Sequence, residues 1–270
     1  MKGENRMKIG FIGLGNMAAA MIGGMLRQHI VASEEIIGSD KSAAAVEKAG
    51  EAFGIRTFAD NRKVAAEAEV IVLAVKPVFL QEVIREIRSE VDEDKLVISI
   101  AAGKTIEWIE GQFDMAVRLI RCMPNTPALV SEGCTAVCGN ALASGQDEEL
   151  CLKLMGSFGK AIAIPEHLMD GAVAVGGSSP AFVFLFIEAM ADGAVAAGMP
   201  RQLAYEFAAQ SVLGSARMVL ETGKHPGELK DMVCSPGGTT IEGVRVLEEK
   251  GMRAAVMEAV YAAAEKSKKL

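Results

Sequence analysis

The chain has 270 residues, 50% of them hydrophobic, and a formal net charge of −7 at pH 7. This size suits one large or two moderate globular domains, and the acidic balance argues against a nucleic-acid partner. Five cysteines without a C-x-x-C pair fit a reducing compartment better than a disulfide framework, and we expect Cys134 and Cys138 to be small core residues rather than metal ligands.

The chain opens with Met1–Arg6, which is polar and lacks the apolar region of a secretion signal. We therefore interpret it as an extension ahead of Met7 and expect a cytoplasmic protein. From Lys8 to about Pro165, short β-branched runs alternate with longer stretches rich in Ala, Glu and Lys, as in parallel sheets with crossover helices. The predicted strands are Lys8–Ile12, Ile36–Ser39, Val70–Val75, Leu96–Ile100, Val117–Cys122, Thr135–Cys138 and Lys160–Ile164. The predicted helices are Met17–Arg27, Ala43–Phe53, Phe79–Arg88 and Glu148–Phe158.

These elements predict a Rossmann-like, doubly wound α/β domain over residues 7–165, followed by an all-helical domain over residues 166–270. The helices predicted there are Gly171–Val175, Pro180–Ala197, Arg201–Thr222, Thr240–Lys250 and Arg253–Lys268. The apolar stretch Pro180–Met199 carries two acidic residues and two glycines, so we expect a buried helix rather than a membrane span. The second domain has more apolar surface than about a hundred residues bury alone, which predicts a subunit interface.

A G-x-G-x-x-A motif, Gly13-Leu14-Gly15-Asn16-Met17-Ala18, follows the first strand and opens the first helix. Gly13 permits the tight turn, Gly15 allows a pyrophosphate to approach the backbone, and Ala18 allows close packing of helix and strand. The helix N–H groups then bind the anion. The motif therefore predicts a dinucleotide-binding turn.

The second strand ends in Ser39-Asp40-Lys41-Ser42. Asp40 lies about 20 residues beyond the turn, where a carboxylate binds the adenosine ribose of NAD. The neighbouring Ser39, Lys41 and Ser42 are donors suited to the 2′-phosphate of NADP. Alternatively, Asp40 or Ser42 caps the next helix. The cofactor is NADPH or NADH, and the sequence leaves the preference open.

Three further loops follow strands, at the edge where ligands collect in open α/β sheets. In Ala74-Val75-Lys76-Pro77, Lys76 either faces the cofactor or is a solvated lysine before a proline. In Met123–Pro127, Asn125 and Thr126 either position a nicotinamide or form a rigid turn. Ala101 and Gly103 either allow close approach of a cofactor or form a simple turn.

A second glycine-rich loop, Ser235–Gly238, leads into the predicted C-terminal helices. Its N–H groups and the hydroxyls of Ser235 and Thr240 suit a small carboxylate. Thr239 and Glu242 also match a capping box, which is the structural alternative. We find no nucleophile elbow, P-loop or H-E-x-x-H motif, and none of the three histidines lies in a recognisable general-base motif. Reduction of a C=N bond suits such a chain, because a protonated imine is already electrophilic.

From Met7 to the C-terminus, the chain resembles the pyrroline-5-carboxylate reductase family. The most specific segments are His225-Pro226-Gly227-Glu228-Leu229-Lys230-Asp231 and Ser235-Pro236-Gly237-Gly238-Thr239-Thr240-Ile241, and Gly13–Ala18, Ala74–Pro77 and Asn125–Pro127 also match. The resemblance implies NAD(P)H-dependent reduction of 1-pyrroline-5-carboxylate to L-proline.

The resemblance also implies roles for individual residues. Gly13–Ala18 would bind the pyrophosphate, Ser39–Lys41 the adenosine end, Asn61 the adenosine ribose, and Ala74–Pro77 would line the nicotinamide side. Ser235, Gly238, Thr239 and Thr240 would bind the substrate, with Thr240 as the candidate catalytic hydrogen-bonding group. The helical domains would form a dimer, with decamers as a higher assembly, and each active site would lie at the subunit interface.

Two departures from the family are visible. Gly177-Ser178-Ser179-Pro180-Ala181-Phe182 replaces the usual Gly-Ser-Gly-Pro-Ala-Tyr. The pair Asp40-Lys41 replaces a common Asn-Arg, which adds an anion that would repel a 2′-phosphate. The alternatives are a β-hydroxyacid dehydrogenase, for which Lys224 and Lys230 are the available catalytic lysines, and a non-catalytic dinucleotide sensor.

Overall fold

The computed structural model describes residues 7–269, so the interpretation of Met1–Arg6 as an extension lies outside the described residues. The chain forms two compact units. Within the described part, the first unit runs to Gly177 and includes the chain again from Ala264, and the second unit is Ser178–Ala263. The boundary at residue 165 marks the change from strands to helices in the sequence and remains a prediction about domains.

The first unit is built on an eight-stranded sheet in the order β3-β2-β1-β4-β5-β6-β7-β8. Its strands are β1 Ile9–Ile12, β2 Ile36–Ser39, β3 Arg56–Phe58, β4 Val70–Leu73, β5 Leu96–Ser99, β6 Arg118–Met123, β7 Gly133–Gly139 and β8 Gly159–Ala163. The chain reverses its winding at β1, which has β2 on one side and β4 on the other. This is the doubly wound order expected from the alternating pattern.

One pairing differs from the predicted parallel sheet, because β6 and β7 are antiparallel. Only a short loop with a 3-10 turn, Thr126–Val130, joins them. A parallel return would need a crossover of about a dozen residues or more, whereas a short loop suffices for antiparallel neighbours. The other adjacent pairs, including β7 with β8, are parallel.

Helices cover both faces of this sheet. They are α1 Asn16–Arg27, α2 Ala43–Phe53, α3 Asn61–Glu67, α4 Pro77–Ile87, α5 Ile106–Glu110, α6 Gly145–Gly156 and α7 Met169–Ala172. The sequence did not predict β3, α3 or α5. Each is short, and β3 lies at the sheet edge with Arg56 exposed, so none has the long apolar periodicity on which prediction depends.

Two apolar cores lie on the opposite faces of the sheet. Ile9 and Phe11 of β1 belong to one core, together with α1, and Ile12 belongs to the other, together with α3 and α4. Alternate residues of a strand point to opposite faces, so burial of both faces requires the nearly continuous apolar strands seen in the sequence. Cys138 is buried as expected, but the expectation for Cys134 is wrong, because its side chain near the start of β7 reaches solvent.

The segment predicted as the helix Gly171–Val175 is only partly α-helical. An α-helical turn in α7 gives way to a π-helical turn, Val173–Ser178. The side-chain amide of Asn125 donates to the carbonyl of Gly176 at 2.9 Å, so a residue from the β6–β7 loop satisfies a carbonyl in the π turn. Such turns are rare and occur often at functional sites.

The second unit contains the helices α8 Ser179–Ala196, α9 Arg201–Thr222, α10 Pro226–Val233 and α11 Thr239–Glu249, and most of α12 Met252–Ser267. The sequence did not predict α10, which is short and begins with His225 as its N-cap. The buried apolar residues of this unit's core cluster are three alanines, Ala191, Ala204 and Ala208. Most large apolar side chains here are therefore exposed in the single chain.

The prediction that Pro180–Met199 is a buried helix is wrong for the single chain. Ala191 is the buried residue of α8, while Phe184 is 62% exposed and Leu185 is 67% exposed. The helical stretch Glu166–Ala196 is also long and apolar enough to cross a membrane, with 6% of its most apolar window buried. A helix that packs against another subunit meets the same criteria, so this observation alone is weak evidence for a membrane span.

Candidate functional site

The turn after β1 requires glycine at its first position. Gly13 has φ +96°, and a Cβ at this position would lie 2.6 Å from the carbonyl oxygen of Ala74. The Gly13 N–H donates to the carbonyl of Ser39 at 2.8 Å. The turn is therefore packed closely against the ends of β2 and β4.

The N-terminus of α1 is open to a ligand. Gly15 is the N-cap, a Cβ there would have no atom within 4 Å, and within residues 7–269 no side chain caps this helix. Ala18 is buried, as close packing of the helix on the sheet requires. Unused N–H groups and the helix dipole favour an anion at this position, so the geometry fits a pyrophosphate.

A cavity of about 380 Å³ opens beside this turn. The predicted cofactor residues that line it are Gly13, Gly15, Asp40, Lys41, Asn61, Ala74, Val75 and Lys76. They come from the carboxyl ends of β1, β2 and β4 and from the start of α3, and β1 is the strand at which the winding reverses. Ligands of open α/β sheets bind at this point, although the role of each residue remains a prediction.

Asp40 supports the turn from the end of β2. Its Oδ2 accepts the Leu14 N–H at 2.9 Å and its Oδ1 accepts the Ser42 N–H at 2.8 Å. Ser42 is the N-cap of α2, so the capping alternative holds for Ser42. Asp40 therefore links the glycine turn to β2, while its carboxylate still lines the cavity.

A chain of hydrogen bonds links the end of β2 to α3 and α4. The buried Ser39 hydroxyl donates to Asn61 Oδ1 at 2.8 Å, and Asn61 Nδ2 donates to Glu86 Oε2 at 2.8 Å. These bonds fix the orientation of the Asn61 amide. Glu86 thus places a carboxylate in contact with Asn61, the residue expected to bind the ribose.

One face of α4 contributes four cavity residues that the sequence analysis missed: Phe79, Glu82, Val83 and Glu86. The Lys41 ammonium lies 3.7 Å from the centre of the Phe79 ring, within cation–π distance. The missed residues follow the Lys76-Pro77 turn at helical spacing, so the face that they share was visible in the sequence as a periodicity. Their position at the cavity depends on how α4 packs.

The remaining predicted residues do not line this cavity. Ala101 is buried, and Gly103, with φ +72°, lines a different cavity of the same unit. The side chain of Asn125 bonds to backbone at both ends, because its Oδ1 also accepts the Cys134 N–H at 2.8 Å. Thr126 is exposed at the start of the 3-10 turn, and Leu14, Asn16, Met17, Ser39 and Pro77 flank the lining residues.

The second glycine-rich loop lies in the helical unit and leads into α11. Gly238 is the N-cap, Thr239 is the first helical residue, and Glu242 bonds to Arg245. The capping box of Thr239 with Glu242 is therefore wrong, because the helix starts at Thr239, one residue earlier than a box with Thr239 as the N-cap requires. Among the described residues no side chain caps this helix, so its N–H groups and the adjacent Thr240 hydroxyl are available to an anion.

The Ser235 hydroxyl lies beside Gly238, close to the space that a Cβ there would need, and Gly237 has φ +69°. The loop thus depends on both glycines. His225 is the N-cap of α10, with its Nδ1 accepting the Gly227 N–H at 3.0 Å. In residues 7–269 there is no group of three His, Cys, Asp or Glu side chains that could hold a metal ion.

Two family models match the chain. Residues 166–270 match the model described as "Pyrroline-5-carboxylate reductase dimerisation". Residues 8–103, which include the glycine turn, match the model described as "NADP oxidoreductase coenzyme F420-dependent". The two matched ranges leave residues 104–165 between them.

Relatives cover the chain almost completely. The pyrroline-5-carboxylate reductase of Escherichia coli (strain K12) is 52% identical, over 97% of this chain and 98% of the relative, and that of Methanosarcina acetivorans is 46% identical, over 99% and 98%. A solved pyrroline-5-carboxylate reductase from Coxiella burnetii superposes with a TM-score of 0.93 at 35% identity and 98% coverage of both chains. A Plasmodium falciparum pyrroline carboxylate reductase, solved with NADP bound, superposes with a TM-score of 0.86 at 33% identity and 99% coverage of both.

Proposed function

The chain belongs to the pyrroline-5-carboxylate reductase family, and from this premise we propose that it reduces 1-pyrroline-5-carboxylate to L-proline with NAD(P)H. The observation that carries the proposal is the joint presence of a cofactor-binding turn and an intact Ser235–Thr240 loop in one chain. The family match over nearly the full length favours this activity over a β-hydroxyacid dehydrogenase. A non-catalytic sensor would have no need of the second loop.

The residues present fit a dinucleotide. The N–H groups at the start of α1 would hold the pyrophosphate, and Gly13 leaves the space that a side chain would fill. Asp40, Lys41 and Asn61 would hold the adenosine end, and Ala74–Pro77 would line the nicotinamide side. When bound, the reduced nicotinamide supplies the hydride. The protein's part is to orient it and to exclude water.

The substrate carboxylate would bind the free N–H groups at the start of α11, where the helix dipole favours an anion. Ser235, Gly238, Thr239 and Thr240 would surround it. The Thr240 hydroxyl would hydrogen-bond the ring nitrogen and hold the imine in place. The imine carbon gains the hydride, the C=N bond becomes a single bond, and the ring nitrogen keeps its proton. Orientation and electrostatics therefore carry most of the catalysis, without a strong general acid.

Self-association belongs to the same proposal. The dimerisation match covers the helices whose apolar side chains are exposed in the single chain, so we infer that these surfaces meet in a dimer. The apolar helix α8 would then be covered by protein rather than lipid, which supports a cytoplasmic location. Assembly of dimers into a decamer is a further proposal, taken from the family resemblance.

The activity is tested by mixing purified protein with NADH or NADPH, with and without 1-pyrroline-5-carboxylate. We expect substrate-dependent loss of the reduced-nicotinamide absorbance and a matching amount of proline by amino-acid analysis. Cofactor binding without turnover with either cofactor would contradict the proposal and favour the sensor.

The role of Thr240 is tested by Thr240→Val, which removes the hydroxyl and keeps the shape. We expect kcat/KM for the imine to fall by roughly 10- to 100-fold while cofactor binding is unchanged, since loss of one hydrogen bond to the reacting group has this size. The matched control is Thr222→Val, whose hydroxyl donates to the carbonyl of Met218 within α9. Equal activity of the two variants would exclude Thr240 from the reaction.

A further inference from the structure

The order of the strands indicates which end of the cofactor lies over which loops. The pyrophosphate turn follows β1, and the adenosine residues follow β2 on one side of it. On the other side, the order continues through β4, β5 and β6. A dinucleotide spans the switch point, so its nicotinamide half extends toward the loops after β4 and β5. The β5–α5 loop, with Ala101 and Gly103, therefore belongs to the nicotinamide end.

The carboxylate of Glu166 hydrogen-bonds to the end of this loop. Glu166 Oε1 accepts the N–H of Ile106, the first residue of α5, at 2.7 Å. The same oxygen accepts from Arg121 Nη1 at 2.9 Å. Glu166 thus joins the end of the β5–α5 loop to β6.

Arg121 is deeply placed for a charged residue. Its side chain is 7% exposed, and in the register of the sheet it pairs with Ser99 at the end of β5, two residues before Ala101. Arg121, Glu166, Gly103 and Thr105 line one cavity of about 450 Å³ in this unit. Within residues 7–269 the only side-chain hydrogen bond of Arg121 is the one to Glu166, so loss of that carboxylate would leave a buried cation unpaired.

Resting on the proposed function, we propose that Arg121 and Glu166 are positioning residues that hold the β5–α5 loop in the conformation that receives the nicotinamide half of the cofactor. The pair acts through the backbone of the loop and touches neither cofactor nor substrate. It determines the placement of Gly103, whose positive φ depends on the path between Ser99 and Ile106. The adenosine cavity, built on β1, β2, α3 and α4, is independent of the pair.

The test compares binding of NADH with binding of ADP-ribose, which lacks the nicotinamide, in Arg121→Lys and in Glu166→Gln. We expect the Kd for NADH to rise about tenfold, since a misplaced contact loop costs this much or more, while the Kd for ADP-ribose stays within about twofold. In turnover, the KM for the reduced cofactor should rise more than kcat falls. Retained ADP-ribose binding also shows that each variant is folded.

The controls are Arg118→Lys and Asp147→Asn. They make the equivalent substitutions in a second ion pair, whose arginine also lies on β6. Arg118, the first residue of β6, bonds through Nη1 to Asp147 Oδ1 at 2.8 Å. These controls should bind NADH and ADP-ribose as the wild type does. Equal weakening of both ligands in the Arg121 and Glu166 variants, or no change in either, would overturn the positioning role. Absence of imine reduction by the wild type would instead refute the proposed function and leave the binding comparison intact.

Discussion

At the scale of single residues, the cavity beside the glycine turn combines groups of opposite charge. The ammonium of Lys41 lies over the Phe79 ring, while the carboxylates of Asp40, Glu82 and Glu86 also line the cavity. A 2′-phosphate would be attracted by the lysine and repelled by the carboxylates. We therefore expect cofactor preference to depend on the balance between these groups rather than on Asp40 alone.

The contribution of Glu86 is testable with Glu86→Gln, which removes the charge but keeps an acceptor for the Asn61 amide. We expect NADPH to bind about threefold more tightly relative to NADH, since partly exposed charges interact by a fraction of a kcal/mol. The measurement is the Kd of each cofactor by fluorescence titration at fixed ionic strength.

Glu90→Gln serves as the control for this prediction. Glu90 lies just beyond α4, and its carboxylate pairs with Arg62 at 2.7 Å. It should leave the ratio of the two affinities unchanged. If Glu86→Gln strengthens both cofactors equally, repulsion of the 2′-phosphate is not the role of Glu86.

At the scale of elements, the N-terminus of α6 shows how a helix is fixed to the sheet. Ser144 is the N-cap, and Asp147 completes a capping box while it pairs with Arg118 of β6. Burial by itself would raise the pKa of Asp147. The hydrogen bonds from the Ser144 N–H and hydroxyl, together with the Arg118 guanidinium, outweigh burial and hold this pKa below its ordinary value.

This lowered pKa predicts a dependence of stability on pH. A depressed carboxyl pKa contributes stability above the pKa of the unfolded chain, and the contribution is lost as pH falls through that value and below. Asp147→Asn should lower the free energy of unfolding at pH 7 by about 1 kcal/mol, and should flatten its decline between about pH 5 and pH 3. Urea unfolding at several pH values measures both effects.

The control is Asp114→Asn, which removes the carboxylate of an exposed ion pair with Arg88. Exposed pairs contribute little, so its stability should follow the wild type at every pH. A decline in Asp147→Asn as steep as that of the wild type would show that other carboxylates govern the acid sensitivity.

At the scale of the whole molecule, the helical region cannot bury its own apolar side chains. Its core cluster of buried residues consists of alanines, whereas Leu185 and Phe207 are each more than 60% exposed. Each large apolar side chain buried against a partner contributes about 1.5 to 3 kcal/mol. The family match for dimerisation covers this same region, so self-association explains the exposure.

Leu185→Glu should therefore weaken self-association, because it places an unpaired charge in an apolar contact. We expect the dimer dissociation constant to rise at least about a hundredfold. Light scattering coupled to size-exclusion chromatography, over a range of protein concentrations, measures it.

Leu142→Glu makes the same change at a half-exposed leucine in the loop before α6, outside the matched dimerisation region. This variant should associate as the wild type does. A Leu185→Glu protein with unchanged mass at low concentration would show that α8 lies outside the interface.

Local requirements of the chain were legible in the sequence. The turn at Gly13–Ala18, the apolar strands and most helix bounds depend on residues close together in the chain, where sterics and periodicity act directly. The nearly continuous apolar strands indicated a sheet covered on both faces. The apolar excess of the second half predicted a subunit interface, but the sequence did not show that α8 is one of the exposed helices.

Only the tertiary structure determines which hydrogen-bond partner each polar side chain has. Asp40 bonds to Leu14 across the turn, Glu86 orients Asn61, and Glu166 meets Arg121, which is 45 residues away in the chain. Spacing along the chain carries no information about such contacts, because they depend on which elements pack side by side. The antiparallel direction of β7 follows from the short loop that joins it to β6. The start of α11 at Thr239 likewise depends on packing between neighbouring elements.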